Sequence, residues 1–263
     1  MKTRMQPVAL FIFAHQDDEV GIFRNILNEI GDRRVICLYL TDGAARGDES
    51  PRRNRESLGV LRRLGVPAEN VFFAGDDLGV RDGQLLNHLD AVGDWLEEFM
   101  TAQQPICSIY LPAWEGGHHD HDATHALGVL IAHKLGLLNV TRQFPLYNGY
   151  GCGGPLFRVF LPLPDNGAAT NITLRWDERT RFLRYCLLYP SQFITWVGLL
   201  PFVFLHYVFW GTQVTQPVSV ARISERPHDG ALYYERRKFC TYTILAGKVS
   251  SLAQRYLKAI PGA

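Results

Sequence analysis

Apolar and polar positions follow two alternating patterns along the first half of the chain. Residues 8–14 are an unbroken apolar run about one strand long, as expected of a strand buried on both faces. After a polar loop, Val20, Phe23, Ile26, Leu27 and Ile30 recur at helical spacing, with Gly31 placed to stop the helix. Residues 35–40 read as the next buried strand, and 41–50 as a Gly-containing polar loop. Pro51 is well placed to start a helix carrying Leu58, Leu61 and Leu64 on one face. Residues 71–73 predict a short strand and 85–100 a helix with Leu86, Leu89, Val92, Leu96 and Phe99 apolar. Residues 106–111 predict another strand and 122–135 another helix.

Strand, loop and helix in repetition imply an α/β fold: a mostly parallel sheet with helices on both faces. In such sheets ligands bind beyond the carboxyl ends of the strands. The two most polar loops, beginning at His15 and at Ala113, both follow strands at that end, so the fold is expected to bring them together. The second half is less regular and predicts a lid or flap. Residues 157–163 and 171–174 suggest short strands, 179–189 a helix, and 245–259 the last helix.

Between Arg184 and Arg222 there is no Lys, Arg, Asp or Glu. Residues 193–210 within this stretch are rich in aromatics. A membrane span needs about 20 apolar residues, and this run is interrupted by Pro201 and His206. A buried helix pair is the leading expectation. The alternative is an exposed flap that meets a second copy or a membrane surface, or holds an acyl chain.

Composition narrows the class. A chain of 263 residues suits one large domain, and 47% hydrophobic with 20% charged residues describes a globular protein. A formal net charge of +1 gives no general pull toward nucleic acid or membrane. The five cysteines, Cys37, Cys107, Cys152, Cys186 and Cys240, are odd in number and lack C-x-x-C spacing. That argues against a disulfide framework or a cysteine metal site and fits a cytoplasmic setting, with the membrane periphery as the alternative that the apolar stretch leaves open. The first residues carry two basic groups, but the apolar run after them leads straight into acids, so no signal peptide is expected.

Candidate chemistry sits in the two loops. His15, Asp17, Asp18 and Glu19 place one imidazole and three carboxylates in five residues, a donor set that borderline metals accept. The same acids would also suit the first turn of a helix. In the second loop, His118, His119, His121 and His125 put four histidines in eight residues, in a chain with nine altogether. A catalytic zinc uses three protein ligands and an open position. His15, Asp18 and His121 would supply two imidazoles and one carboxylate. Asp17 would then be free as a general base.

Ala14-His15-Gln16-Asp17-Asp18-Glu19 resembles the A-H-P-D-D-E signature of the LmbE-like, or PIG-L, family of zinc-dependent de-N-acetylases. Gly117-His118-His119-Asp120-His121 resembles that family's G-H-P-D-H. Thr41-Asp42-Gly43, Arg53-Asn54-Arg55-Glu56 and Tyr189-Pro190-Ser191-Gln192 resemble its T-x-G, R-x-x-E and Y-x-S-Q elements. The resemblance implies a single Rossmann-like domain over 1–263, with a metal-binding core at about 1–140 and substrate-side and lid elements at about 141–263. It implies one zinc ion held by His15, Asp18 and His121, with Asp17 as general base. His118 becomes the charged or protonating group beside the oxyanion and leaving amine, with Asp120 orienting a histidine behind them. The implied reaction is hydrolysis of an N-acetyl group on an amino-sugar conjugate, possibly lipid-linked.

Asp42, Arg46 and Arg53 are weaker candidates for substrate contact, and Arg53 with Glu56 for an ion pair. Two departures stand out. Gln16 and His119 replace the motif prolines, and His119 adds a competing donor. Gly116 stands where some members carry a tyrosine. An amidase acting on a non-sugar amide would use the same site. A non-catalytic metal- or sugar-binding module is disfavoured because Asp17 and the ligands are all present. A dinucleotide site is disfavoured because no G-x-G-x-x-G follows the first strand.

Overall fold

The computed structural model describes residues 6–44, 49–154 and 156–258. In chain order its elements are β1 (Val8–Phe13), α1 (Phe23–Glu29), β2 (Arg34–Tyr39), α2 (Ser50–Leu64), β3 (Val71–Phe72), α3 (Ala74–Leu78), α4 (Leu89–Ala102) and β4 (Ile106–Pro112). There follow α5 (His119–Lys134), β5 (Thr141–Phe144), β6 (Tyr147–Asn148), β7 (Arg158–Val159), β8 (Thr170–Thr173), α6 (Trp176–Cys186), α7 (Phe193–Phe209), β9 (Thr212–Pro217), α8 (Tyr233–Arg236) and α9 (Tyr242–Lys258).

Seven strands form one sheet in the order β3-β2-β1-β4-β5-β9-β8. The pairs among β3, β2, β1, β4 and β5 are parallel, and β9 runs antiparallel to both β5 and β8. The expected parallel α/β sheet is therefore present, with an antiparallel edge contributed by the second half of the chain. The order reverses at β1: β2 lies on one side and β4 on the other. Such a reversal opens a crevice at the carboxyl ends of the two central strands. The loops after β1 and β4 are the two donor-rich loops of the sequence.

β1 is buried at every position, and its alternation sends side chains into two separate layers. Val8, Leu10 and Ile12 pack with Val92, Leu96, Leu127, Leu130 and Leu252, beneath α4, α5 and α9. Ala9, Phe11 and Phe13 pack with Phe23, Ile26, Val60, Leu61, Phe182 and Val203, beneath α1, α2, α6 and α7. Residues 119–132 of α5 are all buried. That explains why the helix shows no polar stripe.

Several elements depart from the pattern. The helix expected from Val20 is split into a 3-10 turn, Asp18–Gly21, and α1, because Ile22 leaves helical geometry at φ −141°. The helix expected at 85–100 likewise begins as a 3-10 turn, Leu85–Asn87. Of 157–163, only Arg158–Val159 is a strand, paired with β6. The apolar stretch forms one long helix, α7, with Pro201 inside it, and not a buried pair. Ala259, placed in the last helix by sequence, lies outside the described residues.

α3 lies so close to the end of β2 that a Cβ on Gly75 would collide with the Thr41 backbone. Gly75→Ala therefore overpacks this contact and should lower stability by about 1–3 kcal/mol. The measurement is a lower urea midpoint with an unchanged m-value. An unaltered midpoint would show that the α3 backbone moves freely.

Candidate functional site

At the end of β1 the chain is gathered around one carboxylate. Asp18 Oδ2 accepts the backbone N–H of Ala14 at 2.9 Å and of His15 at 2.8 Å. Asp17 is held at φ 115°, a positive φ that L side chains rarely adopt. Such strain is of the order of 1–3 kcal/mol and persists only where the surroundings impose it. Here Asp17 N–H donates to Glu19 Oε2 at 3.0 Å, and Arg53 Nη2 donates to Gln16 O at 2.6 Å and to Asp17 Oδ1 at 3.3 Å. Glu19 is buried and receives the Tyr189 hydroxyl at 2.7 Å. Glu56 accepts the backbone N–H and hydroxyl of Ser191. The late Tyr189 to Gln192 motif thus braces the first loop and α2. The sequence suggested that Arg53 pairs with Glu56. Instead Arg53 turns to Asp17, and Glu56 pairs with Arg52.

The histidine-rich segment is helical three residues earlier than its apolar pattern suggests. His118 is the N-cap of α5, its Nδ1 accepting the Asp120 N–H at 3.2 Å. This places His119, Asp120 and His121 in the first helical turn. Asp120 is fully buried and accepts the N–H of Gly83 at 2.6 Å and of Leu85 at 3.2 Å.

The crevice brings His15, Asp18 and His121 into one buried cluster with donor atoms within 4.8 Å of one another. His15 Nδ1 lies 3.1 Å from His121 Nε2, and His121 Nε2 lies 3.0 Å from Asp18 Oδ1. The other nitrogen of His15, Nε2, faces Asp82 Oδ1 at 3.1 Å and Asp120 Oδ2 at 3.2 Å. Burial opposes a charge on His15, but Asp82, Asp120 and Asp18 outweigh it and hold its pKa well above the ordinary value; a metal at Nδ1 would take the place of the Nδ1 proton, with Nε2–H kept on Asp82 and Asp120. Zinc bonds of 2.0–2.2 Å set tetrahedral ligand atoms about 3.3 Å apart. Two edges of the cluster are close to that spacing, and His15 Nδ1 lies 3.9 Å from Asp18 Oδ2. The carboxylates behind His15 are the arrangement that fixes a metal-ligating tautomer.

Burial dominates the electrostatics. It pushes the Asp17 carboxyl above the ordinary carboxylate range, with Arg53 opposing and Asp18 adding like-charge repulsion. For Asp18, burial is outweighed by the neighbouring His121 and His15, which hold it far below that range. Asp82 is likewise lowered, burial being outweighed chiefly by His15. His118 is pulled down to about 3, first by burial and then by the charge on His15, against Asp120 and Asp82. Sequence reading expected a charged or protonating His118; this downward pull favours the neutral ring, in which Nδ1 accepts the Asp120 N–H and Nε2 lies 4.0 Å from Asp82. Asp120 meets the ring of His15, and meets His118 only through its backbone.

A cavity of about 430 Å³ opens over the cluster. Its floor is His15, Asp17, Asp18, Arg53, Asp82, His118 and His121. Tyr147 and Tyr233 supply two phenols on the wall, and Trp196, Leu199 and Val203 of α7 close one side. Asp42 does not line this cavity. Its carboxylate accepts the N–H of Ala44 and of Asp82, so it shapes the loop that carries Asp82. Arg46 lies outside the described residues. His119 donates to or accepts no group of the cluster and meets Gly83 O at 3.0 Å. His125 is buried against Pro112 O.

Sequence reading missed Asp82 and Glu115. Asp82 lies in a short loop with no histidine neighbour to flag it. The Asp82-Gly83 turn after Val80 was the available signal. Glu115 is buried under the wall and accepts Leu146 N–H, Tyr147 N–H and Asn148 Nδ2–H, fixing β6 and with it Tyr147.

Comparisons with known proteins bear on the family and the fold. Residues 10–132 match the PIG-L family model, described as GlcNAc-PI de-N-acetylase. None of the curated proteins matches the chain. Among solved structures, the zinc-inhibited form of teicoplanin deacetylase is 17% identical with a TM-score of 0.60, covering 80% of this chain and 97% of that one. The A40926 pseudoaglycone deacetylase is 19% identical with a TM-score of 0.57, over 81% and 97%. The N,N'-diacetylchitobiose deacetylase of Pyrococcus horikoshii is 19% identical with a TM-score of 0.57, over 80% and 82%. These likenesses share the fold, and all extend beyond the span of the family model.

Glu115 makes the wall of the cavity sensitive to pH. Burial raises its carboxyl from 4.5 to about 7, against the donors of Asn148, Leu146 and Tyr147. Between those values the folded chain holds a proton that the unfolded chain releases. The contribution of Glu115 to stability is thus greatest below about pH 4.5 and declines as pH rises to about 7. Glu115→Gln removes this slope, whatever constant offset the amide introduces. Urea titrations of both proteins from pH 5 to pH 8 should show the variant gaining relative to wild type as pH rises; a constant difference would refute the assignment.

Proposed function

We propose that the chain is a zinc-dependent deacetylase that hydrolyses the N-acetyl group of an amino-sugar conjugate. The observation that carries this reading is the convergence of the His15, Asp18 and His121 donor atoms, with Asp17 in the same cavity. The match to the PIG-L family model supports the reaction class. Residues 1–263 are read as one domain, supported by β8 and β9 completing the same sheet as β1.

His15 Nδ1, Asp18 Oδ1 and His121 Nε2 are the atoms that would hold one zinc ion. When bound, zinc supplies Lewis acidity, lowering the pKa of water and polarising a carbonyl oxygen. The zinc-inhibited form of the teicoplanin deacetylase supports a metal in this fold, and the choice of zinc rests on the two-imidazole, one-carboxylate donor set. Asp17 takes a proton from the attacking water, and its raised pKa suits a base working near neutrality. Arg53, ion-paired to its Oδ1, fixes the direction of that carboxylate. As the amide carbon becomes tetrahedral, its oxygen gains charge, and the neutral His118 donates its Nε2–H to it. The C–N bond then breaks, and Asp17 returns the proton to the departing amine. Asp120 and Asp82 act through His15, holding its ring and tautomer. Arg53 and Asp82 also face the cavity, where sugar hydroxyls would meet them.

Asp17→Asn should lower turnover by about 10²–10⁴ while the metal content, measured by elemental analysis, stays that of wild type. Near-normal turnover would remove Asp17 from the base role. His121→Ala should lose the metal along with activity. In wild type, a chelator should stop acetate release from a panel of N-acetylglucosamine conjugates, and added zinc should restore it. Chelator-resistant turnover would overturn the metal reading.

A further inference from the structure

We propose that the outward face of α7 is a docking surface for a lipid–water interface bearing anionic headgroups, placed so that the cavity opens beside it. α7 is apolar on both sides. Its inward side, through Trp196, Leu199 and Val203, is a wall of the cavity. Its outward side exposes Phe193, Val197, Phe204, Leu205 and Phe209, from 45% to 71%, and Trp210 follows at the helix end. Positions 193, 197, 201, 205 and 209 are four apart, so they form one continuous stripe along the helix. The 17 residues of α7 make this stripe about 26 Å long. Apolar patches of this kind on a folded surface mark interaction sites. Among the described residues, no helix is long and apolar enough to cross a membrane. The stripe therefore fits a helix lying in an interface plane and not through it.

Charge selects the occupant. From Arg175 to Arg222 the acids are Asp177 and Glu178, whose carboxylates meet Arg175 and Arg24. α6 packs beside α7 and exposes Arg181 and Arg184, neither in an ion pair among the described residues. Exposed Leu187 follows on the way into α7. An apolar stripe beside uncompensated arginines complements a bilayer of acyl chains and anionic headgroups. Thr195 and Gly198 of α7 line the cavity and are also exposed, so the cavity mouth lies along the same helix. A conjugate with an apolar tail would reach the cavity without leaving the interface. This last step rests on the proposed deacetylase reading; the docking surface does not.

The test is co-sedimentation of the full chain with phosphatidylcholine vesicles, with and without phosphatidylglycerol. Wild type should bind both, and the anionic vesicles more tightly. Phe204→Ser with Phe209→Ser should weaken binding by at least about tenfold, with an unchanged unfolding midpoint, since both side chains are exposed. Arg181→Glu with Arg184→Glu should remove the preference for anionic vesicles, as high salt should. Absence of wild-type binding, or serine variants that bind like wild type, would overturn the proposal. So would light scattering that shows a dimer dissociated by the serine pair, because the stripe would then belong to a second copy. Hydrolysis of a soluble N-acetylated sugar, measured in parallel, should be unchanged in the serine pair. Vesicle binding without hydrolysis would sink the deacetylase reading and leave the docking surface standing.

Discussion

The site depends first on one carboxylate bound by two backbone amides. Asp18 caps the carboxyl end of β1 through Ala14 N–H and His15 N–H. A buried strand end exposes donors that must be satisfied. Using Asp18 Oδ2 for this leaves Oδ1 free and fixes its direction toward His121. It also fixes the His15 backbone, so both groups come from one turn. The positive φ of Asp17 follows from the same geometry, since the chain must reverse between two anchored residues. Sheet topology supplies the other half, because β4 lies directly beside β1 and delivers His121 from the next loop.

Bringing so many charges into a buried crevice does not stabilise a fold by itself. Desolvation of buried ions offsets much of their mutual attraction. Each charge here has a partner of opposite character: Arg53 beside Asp17, His15 between Asp82 and Asp120, Tyr189 on Glu19. The stability comes from elsewhere, from two apolar layers on either side of a fully buried central strand. This division explains why braces such as Ser191 to Glu56 reach the site from the far end of the sequence. They hold polar groups in place and add little to burial.

Local chemistry made the two loops legible. A buried strand followed by acids, and four histidines in eight residues, are signals that need no tertiary knowledge. The sheet class was legible for a similar reason, since strands buried on both faces leave unbroken apolar runs. Asp82 and Glu115 were not legible, because a single carboxylate in a loop looks like any solvated acid until the fold buries it. Asp42 misled in the opposite sense: it lies at the right sheet end, but its carboxylate is used on backbone amides. His118 was legible as a cavity residue, while the burial that pulls its pKa down comes only with the fold. Helix starts were also misjudged where a side chain caps the backbone, as His118 does for α5.

α5 and α7 show what a helix without a polar stripe can mean. Neither carries a polar stripe that would name a solvent face. For the apolar stretch that becomes α7 a buried helix pair was the leading expectation, in line with the general rule, whereas α5 was expected only as a helix. For α5 the rule holds, because the sheet lies on one side and α4 and α9 on the others. α7 has α6 and β7 against it, and nothing among the described residues covers its outer side. α7 is thus an apolar helix left half covered at the mouth of a polar cavity. Its inner and outer sides are drawn from the same uncharged run of sequence, so periodicity alone does not tell the wall of the cavity from the exposed face.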